Sequence, residues 1–252
     1  MHFTESCDAD APRLITNIET TPATTPDDNM IEVVHQSLKK RDLLPTEHMV
    51  DKGYTDAKVL VISQREYGIE IIGPVAQDPS WQSRDKAGFD KSAFKIDWEA
   101  KVVTCPAGKQ SISWLPKTNP ASGMDFEARF SGRDCTSCSS RSQCTQSKQE
   151  PRIIGLQTRE HHEALQRMRI RQKTEEFRES YAIRAGIEGT HAQAIRRSRL
   201  RRSRYKGLAK TRLQHVITAV AINLLRIASW ASGTALAKTR CSHFAALQFQ
   251  TG

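Results

Sequence analysis

Asp51, in the stretch HMVDKGY, is the first residue of this chain whose type and setting suit chemistry. An apolar run ends on it, Gly53 follows, and a helical pattern then begins. That order predicts a carboxylate at the C-terminal edge of a sheet, where open α/β folds build their sites. The competing reading is a cap or turn residue, although Asp56 is better placed to cap the following helix. A second constellation lies in YAIRAGIEGTH, where Tyr181, Arg184 and Glu188 fall at i, i+3 and i+7, one face of a helix. A tyrosine, a guanidinium and a carboxylate converging there suit a site that holds a phosphate and a metal together. An Arg184–Glu188 surface ion pair at i, i+4 accounts for the same spacing. Gly186 and Gly189 flank the glutamate, each costing a helix about 1 kcal/mol relative to alanine. They allow close approach of DNA or backbone, or they break the helix.

Four cysteines, Cys105, Cys135, Cys138 and Cys144, share one polar, loop-rich segment. Four thiolates satisfy a tetrahedral Zn²⁺, and the CTSC turn aims two sulfurs at one centre. Zinc also supplies folding energy that a segment poor in apolar runs lacks. The alternative is four reduced thiols, with disulfides disfavoured in a cytosolic protein. Cys7 and Cys241 stand alone and read as ordinary thiols. A few residues beyond Glu188 begins a basic run: Arg196, Arg197, Arg199, Arg201, Arg202, Arg204, Lys206, Lys210 and Arg212, with Tyr205 among them. No acid falls between Arg196 and Arg212, which a merely solvated helix face would interleave. His161 and His162 read as exposed helix residues without a role.

The elements that must position these groups are legible in outline. Residues 2–5 and 14–21 read as strands and TTPATTPDD as turn chemistry. Asp27 or Asp28 can cap a helix over residues 30–41. Residues 47–51 form a strand, 55–66 an amphipathic helix and 69–75 an apolar strand, an alternation that argues for a mixed or parallel sheet with covering helices. From about residue 77 to 152 the chain turns rich in Ser, Pro, Lys, Gly and Cys, an insertion held by something other than a large core. Long helices are expected over residues 158–181 and 208–230. With 252 residues, 38% hydrophobic and 26% charged, the chain can bury a real core. Its net charge of +10 is concentrated: residues 151–230 hold 18 Lys/Arg against 6 Asp/Glu. Such a block suits a polyanion, normally nucleic acid. The apolar run 216–225 is too short to span a bilayer, and the first residues carry no basic leader or apolar signal core, so a cytoplasmic location without membrane contact is expected.

The segments HMVDKGYTDAKVL, GPVAQDPSWQ, FKIDWEAKVVTCPAGK, the cysteine cluster and YAIRAGIEGTHAQAIRRSRLRRSRYKGLAKTRLQHV resemble, in that order, the C-terminal part of bacterial insertion-sequence DDE transposases. The branch is the one whose signature is Tyr-x2-Arg-x3-Glu. The resemblance implies an α/β fold with a ribonuclease-H-like core, a mixed sheet with helices. Residues 1–76 give the first part of the core, 77–152 the cysteine-rich insertion with its zinc site, 153–232 the helical part with the basic DNA-binding stretch, and 233–252 a tail. It implies metal-dependent strand cleavage and strand transfer at insertion-sequence ends. Asp51 and Glu188 match carboxylates that hold Mg²⁺ or Mn²⁺, and Tyr181 and Arg184 match the catalytic residues that accompany the glutamate. Double-stranded DNA, at transposon ends and target, is the implied partner, bound by a homodimer in the nucleoid-associated cytoplasm. Two departures stand out. A basic residue common seven positions after the glutamate is Ile195 here, and the family's first aspartate has no match among Asp8, Asp10, Asp27 and Asp28. The second fits an N-terminally truncated chain, whose alternative role is a non-catalytic DNA-binding remnant.

Overall fold

A computed structural model describes residues 1–119 and 123–234, so Cys241 and the tail from 235 onward lie outside the described residues. In chain order the elements are β1 (His2–Glu5), β2 (Ile15–Glu19), α1 (Met30–Lys39), β3 (Glu47–Met49), α2 (Ala57–Tyr67), β4 (Glu70–Ile72), α3 (Trp81–Asp85), β5 (Lys95–Asp97), β6 (Val102–Thr104), β7 (Ser111–Asn119), β8 (Gly123–Phe130), α4 (Gly132–Thr136), α5 (Arg141–Cys144), β9 (Ile153–Leu156), α6 (Arg159–Arg171), α7 (Glu175–Ala182), α8 (Ala185–Ser198) and α9 (Leu208–Ala231). They form a mixed α/β fold with small sheets. The chain divides into two compact units, Thr24–Ala185 and Met1–Ala23 with Gly186–Gly252.

In the unit Thr24–Ala185, β3 and β4 pair in parallel with Glu47 opposite Glu70 and Met49 opposite Ile72, and α2 makes the crossover. This is the one parallel pair among the described residues; the other pairings are antiparallel. Asp56 caps α2 as its position predicts, accepting from the Val59 amide at 2.6 Å, and Gly68 closes the helix in the left-handed region. The start of α1 differs from expectation. Asn29 is its cap residue and makes no side-chain cap bond, while the Asp27 carbonyl takes the Met30 amide. Ile31 of α1, Leu60 and Val61 of α2, Ile71 and Ile72 of β4, Met168 of α6 and Phe177 of α7 bury together. The helix expected over 158–181 is broken, because α6 ends at Arg171 and Thr174 starts α7 by accepting from the Phe177 amide at 3.2 Å. A capping threonine competes with continuation of the helix, and here it wins.

Two histidines pack against each other in this unit. His35 of α1 is wholly buried, and its Nε2 lies 3.0 Å from Nδ1 of His48 in β3. Burial lowers the pKa of His35 to about 4 and that of His48 to about 3, the latter also opposed by its neighbour's charge. Both therefore stay neutral at pH values where an unfolded histidine, with its pKa near 6.5, takes up a proton. The unfolded state then binds more protons, so stability is full above pH 6.5 and falls as pH drops toward 4. Denaturant melts at pH 7 and pH 5 should differ by about 4 kcal/mol, roughly 2 from each histidine, and His35→Gln should about halve that difference.

Residues 77–152 carry more core than their composition suggests. β5–β6 is a hairpin, and β7, β8 and β9 form an antiparallel sheet. Phe94, Val103, Ala128, Phe130, Ile154 and Leu156 are buried in one cluster, with Cys105, Cys135 and Cys144 packed against it. His162 is half-buried rather than exposed, its ring 5.5 Å from that of Trp98.

In the other unit β1 and β2 form an antiparallel hairpin, and α9 packs on β2. Asn223 of α9 clamps Ile15 by accepting from its amide at 2.8 Å and donating to its carbonyl at 3.0 Å. Ile15, Ala194, Ala219 and Ile222 make the small core. α9 is, by length and composition, apolar enough to cross a membrane, which the shorter run 216–225 did not suggest. Ile217, Val220 and Leu224 on it are exposed, while His215, Thr218 and Ala219 are buried.

Candidate active site

The end of β3 places Asp51. Val50 still pairs with β4, its amide donating to the Ile72 carbonyl at 2.9 Å, and the chain then turns through a single 3₁₀ turn, Lys52–Tyr54. Asp51 caps that turn, Oδ1 accepting from the Lys52 amide at 2.8 Å, so the cap reading of this residue is partly right. Its other oxygen, Oδ2, stands 3.2 Å from Nη2 of Arg184. Gly73 makes this close packing possible. A Cβ there would meet the Val50 carbonyl at 2.7 Å and the Thr55 hydroxyl at 2.8 Å. Gly73→Ala must push the strand that ends in Asp51, and denaturant unfolding should register a loss of about 1–3 kcal/mol.

Tyr181 and Arg184 arrive from the opposite end of the unit's sequence. The Tyr181 hydroxyl donates to the Val50 carbonyl at 3.2 Å, its ring stacks on Phe177 at 5.4 Å, and the Arg184 guanidinium lies 5.9 Å above the Tyr181 ring. The expected single helical face through Tyr181, Arg184 and Glu188 does not form. α7 ends at Ala182, Ile183 and Arg184 make a turn, and α8 begins at Ala185. Arg184 thereby reaches Asp51. The pair is half-exposed on the carboxylate side and adds at most about 1 kcal/mol to stability.

Two further residues belong to this cluster. Tyr54 has its hydroxyl pushed up to about 12, first by burial and then by the charges of Asp27 and Asp51, with Arg184 opposing. Asp27 approaches through Gly53, where a Cβ would lie 3.3 Å from the Asp27 Oδ2. Asp27, read in the sequence as a possible helix cap, thus acts on Tyr54 together with Asp51; no local signal announces that, because the approach is made by the fold. A phenol held protonated, and a guanidinium beside the Asp51 carboxylate, can donate hydrogen bonds to an anion such as a phosphate.

The remaining candidates lie elsewhere. Glu188 is exposed in the first turn of α8, where an acid also complements the helix dipole. It belongs to the compact unit of the β1–β2 hairpin, while Asp51, Tyr181 and Arg184 belong to the other. Gly186 needs its bareness, since a Cβ would meet Nη1 of Arg13 at 2.6 Å, whereas Gly189 faces open space. The nine cations from Arg196 to Arg212 are all exposed, on the last turn of α8, the loop after it and the first turns of α9. Arg199 sits at φ 50, and Gln214 of α9 reaches back to the Arg202 carbonyl at 3.4 Å, shaping the loop.

Cys105, Cys135, Cys138 and Cys144 line one small cavity of about 30 Å³. No group of three or more His, Cys, Asp or Glu side chains is drawn together tightly enough to hold a metal ion among the described residues. That applies to the cysteines and to the carboxylates alike.

No curated protein and no solved structure matches the chain significantly. A family model does match, over a stretch that holds the four cysteines, Tyr181, Arg184, Glu188 and the basic run and leaves Asp51 outside. Residues 104–228, just under half of the chain, match the family model described as a transposase DDE domain, and this match supports a DDE transposase.

Proposed function

We propose that this chain is the core of an insertion-sequence transposase, cutting and joining DNA at element ends. A ribonuclease-H-like arrangement would carry Asp51 at the end of a parallel strand and Glu188 on the following helical part. The observation that supports this most is the convergence of Asp51, Tyr181 and Arg184, from sequence positions far apart, at the C-terminal end of β3. Arg184 is the cation that would bind a phosphate oxygen beside the carboxylate, and Tyr181 fixes the strand end by bonding to Val50. The basic run would hold flanking duplex by its phosphates, giving affinity rather than sequence readout.

Chemistry of this kind uses Mg²⁺ or Mn²⁺ to activate a hydroxyl and stabilise the leaving oxygen. The residues fit such an ion only in part. Asp51 offers hard oxygen ligands, but it is engaged by Arg184, and no three-ligand group stands ready among the described residues. No step is therefore assigned to the metal, and Asp51 and Glu188 are proposed as its ligands. A homodimer acting on DNA in the cytoplasm, at the nucleoid, completes the proposal.

The test is strand cleavage of element-end DNA with Mg²⁺ or Mn²⁺ by the wild type, Asp51→Ala and Glu188→Ala. Cleavage by the wild type that either substitution reduces on the order of a hundredfold or more supports the reading. Salt-sensitive binding without any cleavage overturns the catalytic part and leaves a DNA-binding remnant.

A further inference from the structure

The cysteine cavity carries a feature that the proposed chemistry does not use. Its wall includes two arginines with orphaned donors: Nη1 of Arg141 and Nε of Arg152 are buried without a hydrogen-bond partner. A buried guanidinium N–H left unsatisfied costs roughly 1–3 kcal/mol or more, so such donors call for an acceptor. Neither side chain is loose. Nη2 of Arg141 is bonded to the carbonyls of Ser147 at 2.9 Å and Glu150 at 3.2 Å, and Arg152 lies over the Phe94 ring at 5.8 Å. The neutral thiols beside them are weak acceptors, whereas thiolates are strong ones.

We propose that Cys105, Cys135, Cys138 and Cys144 bind one Zn²⁺ as thiolates, and that Arg141 and Arg152 complete the site by donating to the sulfurs and balancing their charge. Each thiol releases its proton to solvent as it ligates, so Zn²⁺ and four thiols give a dianionic centre and four protons. The two guanidinium charges offset that dianion. Lys109 on the same wall is already spoken for by Asp134 at 4.0 Å.

The local backbone suits the role. Cys105 opens a turn in which its carbonyl accepts from Gly108 and its amide donates to the Lys109 carbonyl, both at 2.8 Å. Gly108, at φ 78, permits that turn. The Cys138 amide points back to the Cys135 carbonyl at 3.4 Å, the short turn that aims two sulfurs at one point. The cavity has room for a single water-sized occupant. Among the described residues the sulfurs line the cavity wall without forming a ready-made metal-holding group. The cation supplies the attraction that draws them in.

Elemental analysis of the purified full chain should find one zinc per chain. Replacement by Co²⁺ should give the intense thiolate-to-cobalt charge-transfer bands of a tetrahedral four-sulfur site. Arg152→Gln should weaken zinc binding, read by competition with a chromogenic chelator, by about tenfold or more, with Arg152→Lys less affected. Cys7→Ser should leave zinc content unchanged. A chain that takes up no zinc or cobalt, a cobalt spectrum without thiolate bands, or disulfides among the four cysteines would each overturn the proposal. These readouts use the wild type and an arginine variant, so they hold even if Cys→Ser variants fail to fold.

Discussion

Duplex DNA binding by this chain should weaken by roughly three decades when salt rises from about 50 to about 200 mM. The nine cations from Arg196 to Arg212 are exposed, and none forms an ion pair with a carboxylate among the described residues. They are therefore free to exchange condensed counterions for contacts of their own. If about six reach phosphates, the slope of log affinity against log salt is about −5, and a fourfold rise in salt multiplies through it. Replacing Arg201, Arg202 and Arg204 with glutamine should bring the slope up by about three while changing affinity alike for all sequences. All three lie on the exposed loop, so the folded state should not register the change. Fluorescence anisotropy across a salt series measures it. A slope near −1 in the wild type would mean that the run does not grip DNA.

The sequence discloses some of this arrangement and hides the rest for physical reasons. The crossover from Glu47 to Ile72 is readable because its apolar residues keep local periods and Asp56 and Gly68 mark the ends of the helix. The hairpin of β7 and β8 is not, because its alternation is blurred: Ile112 and Leu115 are exposed, Pro116 sits within the strand, and the cluster closes only with Ile154 and Leu156 of β9. The break between α7 and α8 is likewise invisible locally. Gly186, the weakest helix former between Tyr181 and Glu188, lies inside α8 rather than at the break, and the turn at Ile183 and Arg184 goes with the pairing of Arg184 to Asp51, well over a hundred residues earlier. Asp51, Tyr181 and Arg184 were nameable as candidates from type and spacing. Asp27 and Tyr54 were not, since their nearness depends on the absence of a side chain at Gly53, a fact of three dimensions.

Arg226→Ala should destabilise the unit of the β1–β2 hairpin by about 3–5 kcal/mol, the cost of leaving a buried charge without its partner. Glu5 ends β1 with its side chain only 9% exposed, and Nη1 of Arg226, itself 18% exposed, lies 3.0 Å away. The same Nη1 donates to the Arg13 carbonyl at 2.8 Å, and Nη2 donates to the Thr190 hydroxyl at 2.6 Å and to Gln193 at 3.3 Å. Thr190, wholly buried, donates in turn to Glu5. The apolar core here is small, four buried residues among those described, so this network does much of the joining of α8 to α9 and the hairpin. It matters to the proposed role because α8 carries Glu188 at one end and opens the arginine run at the other. Removing Arg226 alone strands Glu5, whereas Glu5→Leu with Arg226→Met removes both charges and should recover most of the loss. Urea unfolding of the two single variants and the double variant measures the coupling. Single-variant losses that simply add in the double variant would mean that the pair is not the tie holding α8 in place.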